Sequence, residues 1–139
     1  MIRAVLDANV FISGIITEKG SPGRILQSWR EERFHLVTSE PILEEIGRVL
    51  RYPKISRRHG WSEEQLAHFL DNVRYLALVT PGELTLTVIT VDPADNRYLE
   101  CALEAEGDCI VSGDHHLVEL GAYRGIEILT PRAFLKLLE

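Results

Sequence analysis

Cationic charge is what this chain is short of. Its 139 residues carry 15 Lys and Arg against 21 Asp and Glu, a formal net charge of −6. That balance argues against a surface built throughout for non-specific nucleic-acid binding, while leaving room for an acidic site beside a local basic patch. Long apolar runs are missing too. None approaches the ~18 residues of a membrane-spanning helix. Met1-Ile2-Arg3 leads directly into a strand-like run instead of the basic-then-apolar pattern of a leader. The expectation is a cytoplasmic chain with no membrane partner. Cysteine is scarce: Cys101 and Cys109 lack CxxC spacing and lie in apolar stretches, which favours buried free thiols over a disulfide or metal role. With no repeat, low-complexity tract or linker, residues 1–139 read as a single domain around one core.

What is present is an ordinary globular composition, 45% apolar and 26% charged, which excludes a disordered chain. Short Val-, Ile- and Leu-rich runs bounded by turn residues predict strands over 2–7, 35–38, 76–80, 109–112 and 126–130. Their hydrophobicity is continuous and not alternating, as in a parallel sheet covered on both faces. Only 84–91 alternates cleanly, and whether this extended segment joins the sheet edge is left open. Helices are predicted over 22–32 with Ser21 as N-cap, 41–51, 62–75 opened by the capping box Ser62-Glu63-Glu64-Gln65, 93–106 capped by Asp92, 117–120 and 131–138. Alternating β and α units imply a three-layer α/β/α sandwich, Rossmann-like, on a central parallel sheet of about five strands.

Four acids, Asp7, Glu45, Asp95 and Asp114, fall where such a fold aims side chains at one point. Asp7 ends the first strand and Asp114 follows the fourth, and ligands in open α/β sheets gather beyond the carboxyl ends of strands. On the 41–51 helix, Glu45 borders the stripe of Ile42, Ile46 and Val49, whereas Glu44 points away. On the 93–106 helix, Asp95 shares a sector with Tyr98, Leu99 and Ala102, and Arg97, Glu100 and Glu104 take the opposite face. Asp95 could serve as a helix cap, but Asp92 fits that role better. An inward carboxylate must be paired, metal-bound or protonated. Acids gathered without cations raise one another's pKa, so the set suggests a divalent metal and phosphate chemistry.

The strings Val5-Leu6-Asp7-Ala8-Asn9-Val10-Phe11-Ile12-Ser13, Glu45-Ile46-Gly47-Arg48-Val49-Leu50, Asp92-Pro93-Ala94-Asp95-Asn96, Ile110-Val111-Ser112-Gly113-Asp114 and Ile128-Leu129-Thr130-Pro131 together resemble the PIN-domain family. The likeness runs through essentially the whole chain. It implies a metal-dependent ribonuclease fold in which Asp7, Glu45, Asp95 and Asp114 line one Mg²⁺ or Mn²⁺ site. The chain is most similar to the stand-alone members regarded as toxins of toxin–antitoxin pairs. Asn9 and Ser13 match positions holding a polar side chain near the metal, and Ser112 matches a Ser/Thr that orients the neighbouring carboxylate. One departure stands out: His116 occupies a position where many members carry a further acid, which leaves a one-metal mechanism level with a two-metal one.

As a working assignment, Asp7, Asp95 and Asp114 contact metal, and Glu45 ligates it or orients the attacking water. Arg48, Arg51, Lys54, Arg57 and Arg58 form the densest basic stretch, suited to RNA phosphates or simply to a solvated face. His115 and His116 read as surface residues. Trp29 and Phe69 read as core or interface, and Trp61 is undecided between that and base stacking. The region 41–75 is expected to offer apolar surface for a homodimer, a higher homo-oligomer or an antitoxin protein. Two other readings compete with the endoribonuclease. A phosphatase or receiver-type phosphoryl-transfer domain lacks its Asp-x-Asp pair, because position 9 is Asn, and its late Lys. A non-catalytic RNA-binding or scaffold module would leave four costly acids idle.

Overall fold

A computed structural model describes residues 1–139. It contains six strands, β1 (Arg3–Leu6), β2 (His35–Ser39), β3 (Leu78–Thr80), β4 (Cys109–Val111), β5 (Ala122–Tyr123) and β6 (Ile126–Leu129). They form one sheet in the order β3-β2-β1-β4-β6-β5. The first five in that order are mutually parallel, and only β5 runs antiparallel, against β6. Each expected strand is present within a residue or two. The sixth, β5, is a two-residue edge that escaped the hydrophobic pattern. It pairs through the turn Arg124-Gly125, where both residues have positive φ (49° and 83°), the twist a two-residue hairpin requires.

Eight helices flank the sheet: α1 (Ala8–Ile16), α2 (Ser21–Arg30), α3 (Glu40–Leu50), α4 (Pro53–His59), α5 (Glu63–Leu76), α6 (Asn96–Glu104), α7 (His115–Leu120) and α8 (Pro131–Leu138). Two of them, α1 and α4, were not anticipated. The run of α1, ANVFISGII, is apolar except for Asn9 and Ser13, so its buried stripe is wide and its 3.6-residue period weakly marked. Seven residues of α4 carry no buried side chain and hence no stripe at all, although Pro53 at its start and the left-handed Gly60 at its end are ordinary stop signals. Gly20, not Ser21, caps α2, and no side chain bonds its free N–H groups. The capping box at Ser62 and the Asp92 cap form as expected.

The helices are held by burial. On α3, Ile42, Leu43, Ile46 and Leu50 are buried, each contributing about 1.5–3 kcal/mol of transfer free energy. Buried apolar residues from sheet and helices join one continuous core. Close approach matters between α1 and α2: a Cβ on Gly23 would lie 2.2 Å from the Glu18 carbonyl oxygen, so only glycine fits there. Cys101 and Cys109 are free and buried, and burial pushes both thiols up to about 12.

Residues 81–91 form no strand or helix. They lie along α6, whose side chains replace the missing ladder. Glu104 accepts from the Glu83 N–H at 3.0 Å and Glu100 from the Leu86 N–H at 2.8 Å. Asn96 accepts from Val88 and Ile89 at 3.1 and 2.9 Å and donates back to the Ile89 carbonyl. Positions 96, 100 and 104 share one helix face. The face opposite the buried sector is therefore strapped down.

Candidate active site

Two strand-to-helix turns build the heart of the site. β1 and β4 are neighbours, and the chain leaves them toward opposite sides of the sheet, which makes their carboxyl ends the topological switch point. Their register pairs Leu6 with Val111, so Asp7 follows directly beside Ser112. Asp7 is 4% exposed and Ser112 fully buried. The Ser112 hydroxyl donates to Asp7 Oδ2 at 2.6 Å and accepts from the Asp114 backbone N–H at 2.9 Å. One side chain thus aims one acid and fixes the backbone of another.

Both acids are also helix caps. Asp7 Oδ1 accepts from the Asn9 N–H at 3.1 Å at the start of α1, and Asp114 Oδ1 accepts from the His116 N–H at 2.8 Å at the start of α7. Each carboxylate thus satisfies a free N–H in the first turn of the helix that follows its strand. Asp114 is half-buried. The helix expected over 117–120 begins earlier, at His115, because Asp114 supplies this cap.

Asp95 lies on a one-turn 3-10 helix, Pro93–Asp95, ahead of α6. It is 8% exposed, and its Oδ2 is buried without a hydrogen-bond partner. Burial foremost, then the charges of Asp92, Asp114, Asp7 and Glu45, pushes its carboxyl up from 3.8 to about 7. Helix phase placed Asp95 inward with Tyr98, Leu99 and Ala102, and all four are buried. Asp92 takes the capping role, accepting from the Ala94 N–H.

Glu45 enters from α3 and is half-buried, whereas Glu44 is exposed. Two donors converge on its Oε1: the Tyr98 hydroxyl at 2.5 Å and Arg97 Nη1 at 3.3 Å. The placement of Arg97 on the outer face needs correction. Its guanidinium folds back to the Pro41 and Ala94 carbonyls and to Glu45, because the neighbouring acid attracts it inward. Tyr98 was read only as core. A phenol on a buried face needs a polar partner, and that rule was the available signal for the contact with Glu45.

Asp7, Glu45 and Asp114 thus all stand near enough to Asp95 for their charges to bear on its carboxyl. They are not drawn into a tight cluster: no three His, Cys, Asp or Glu side chains have the geometry to hold a metal ion as they stand. Asn9 and Ser13 are exposed, one turn apart on α1. His115 is exposed and His116 half-buried, their rings 3.9 Å apart.

Of the basic stretch, Arg48, Lys54, Arg57 and Arg58 are exposed, and the last three share one face of α4. Arg51 is engaged in a two-pronged ion pair with Glu63 at 2.5–3.1 Å. Trp29, Trp61 and Phe69 are all half-buried against the core. Trp61 and Phe69 pack 5.3 Å apart and line an open groove of about 470 Å³ on α5 with Glu64, Gln65, His68 and Asn72.

A mostly parallel, helix-flanked sheet with acids near its switch point defines an α/β fold of the Rossmann-like kind. The PIN-domain family model matches residues 3–116, and the chain belongs to that family. PIN domains are generally nucleases, hence hydrolases, and usually use divalent metal ions. The chain is also similar to the uncharacterized protein MJ1680 of Methanocaldococcus jannaschii, 33% identical over 119 residues, covering 86% of this chain and 75% of that protein. No helix is long and apolar enough to cross a membrane.

Proposed function

We propose that this protein is a Mg²⁺- or Mn²⁺-dependent endoribonuclease that hydrolyses RNA phosphodiester bonds. The observation carrying the proposal is Asp95: a buried carboxyl with an orphaned oxygen, pushed to about 7 by burial and by acids that include Asp114, Asp7 and Glu45. Such a concentration of hard oxygen donors is what a divalent cation would relieve. The donor set fits the ion chemically, and the side chains would have to draw inward to ligate it.

Asp7, Asp95 and Asp114 are the residues that would hold the ion. When bound, it would polarise the phosphodiester and make a water acidic enough to attack. The protein's own contributions are definable. Ser112 aims Asp7 by the hydrogen bond from its hydroxyl to Oδ2. Glu45, fixed through Oε1, offers its other oxygen to orient an incoming water. Arg48, Lys54, Arg57 and Arg58 supply phosphate contacts with little base selectivity. With His116 where a further acid is common, the assignment is to one firmly held ion.

The physiological role inferred is the toxin of a toxin–antitoxin pair in the cytoplasm, working as a homodimer. It is supported by the resemblance of the sequence strings to the toxin members of the family and by the open aromatic groove on α5. Expression in a host should arrest growth when the acids are intact and not when Asp7 is changed.

The direct test is cleavage of a generic RNA by the purified chain in Mn²⁺ or Mg²⁺, with EDTA as control. Asp7→Asn should lower the rate by roughly 100-fold or more, since a metal site contributes several kcal/mol to the transition state. Cleavage that survives both EDTA and Asp7→Asn would refute the assignment. RNA binding with no cleavage would mark the scaffold module instead.

A further inference from the structure

Tyr98 connects two elements that carry different acids. Its hydroxyl oxygen accepts from the Ala8 N–H at 3.2 Å, one residue after Asp7, and its proton goes to Glu45 Oε1. The ring is 1% exposed and lies among the largest buried side chains. Burial, with the charges of Asp7 and Glu45, raises the phenol well above its ordinary range, so the proton stays on oxygen and the donor is permanent. Arg97 reaches the same Glu45 oxygen from the preceding position on α6. Sequence spacing alone puts Asp7, Glu45 and Tyr98 on three unconnected elements; the phenol is where their backbones and side chains are tied.

We propose that Tyr98 is a positioning residue for the reaction: it sets the separation between the Asp7 turn and Glu45 and holds Glu45 in the one orientation that leaves Oε2 for the reacting groups. Arg97 restrains the same carboxylate through the same oxygen. This role rests on the nuclease reading, and it names residues outside the four acids through which that site is held in shape. A packing role would be served equally by phenylalanine, whose ring fills the same space. The hydroxyl is what distinguishes the two.

The test is a double-mutant cycle between Tyr98→Phe and Glu45→Ala in the full chain, read by two measurements. The first is kcat and KM on single-stranded RNA with Mn²⁺. The second is Tm in EDTA, which needs neither metal nor activity. Tyr98→Phe should lower kcat about 10- to 100-fold with KM little changed, the scale expected for a small misplacement of a working group. In the Glu45→Ala background the same change should cost less than about 3-fold, because the residue it positions is gone. The two Tm shifts should likewise be less than additive. Equal kcat losses in both backgrounds would overturn the positioning role even if the Tm shifts are coupled, leaving Tyr98 purely structural. Additive Tm shifts would overturn the link itself. A wild type that cleaves nothing would overturn the nuclease reading and the positioning role with it, while the Tm cycle would still report whether the bond exists.

Discussion

Ser112 is the residue on which most of the site geometry depends. Its hydroxyl serves a buried carboxylate and a backbone N–H at once, so alanine would remove a hydrogen bond from Asp7 Oδ2 and another from the Asp114 N–H. Ser112→Ala should destabilise the protein by about 1–3 kcal/mol, measured by urea unfolding, and should lower kcat because Asp7 loses its aim. Ser112→Thr, which keeps the hydroxyl, should recover most of the stability.

Asp95 gives the site a pH signature. Between its ordinary 3.8 and about 7, the folded protein holds this proton more tightly than the unfolded chain does. Stability from Asp95 is therefore complete below about pH 4 and is lost as pH rises through 7. Asp95→Asn cannot ionise, so it should gain stability relative to wild type between pH 5 and pH 8 in EDTA. An equal difference at both pH values in urea unfolding would show that Asp95 is not held neutral. Divalent cation should narrow the gap at pH 8 by stabilising the ionised wild type.

At the scale of elements, α6 does two jobs with two faces. One face carries Asp95's neighbours Tyr98, Leu99 and Ala102 into the core, and the other straps residues 83–89 through Asn96, Glu100 and Glu104. Asn96 alone closes three bonds to the Val88–Ile89 backbone. Asn96→Ala should raise hydrogen-exchange rates at Val88 and Ile89 about 10-fold or more, with each lost hydrogen bond worth about 1 kcal/mol. Exchange at core amides of β1 and β4 should rise far less. Unchanged exchange at 88 and 89 would mean the strap is held by packing alone.

Legibility followed from period. Helices with a one-sided stripe, such as α3, were readable to within a residue, and so was the inward turn of Asp95. The helix α1 was missed because only Asn9 and Ser13 interrupt its apolar run, and α4 because it has no buried face. Arg97 was misplaced by the same logic. Helix phase reports where Cα points, and a long guanidinium can fold back toward a charge that only another helix supplies.

For the whole molecule, the question is how an acidic protein would bring RNA to an acidic site. Lys54, Arg57 and Arg58 stand together on α4, which His59 pins to the Leu50 carbonyl at 2.8 Å. Arg51, committed to Glu63, should add little. Neutralising Arg57 and Arg58 should weaken the salt dependence of KM, lowering the log–log slope by about 1.4 if each residue contacts one phosphate of single-stranded RNA. Arg51→Gln should leave that slope nearly unchanged. A slope unaffected by either substitution would assign the patch to ordinary solvation.

The sequence by itself determined the layered α/β plan and the parallel sheet, and it singled out four acids as candidates, because buried strands and striped helices impose periods that survive in one dimension. It also carried the family likeness. Tertiary structure alone decided how those acids relate. The β1–β4 register seats Asp7 against Ser112, and the packing of α6 gives Glu45 its phenol and its guanidinium. Burial leaves one oxygen of Asp95 without a partner. Desolvation and charge coupling depend on distances between elements far apart in the chain, and no spacing along a sequence encodes them.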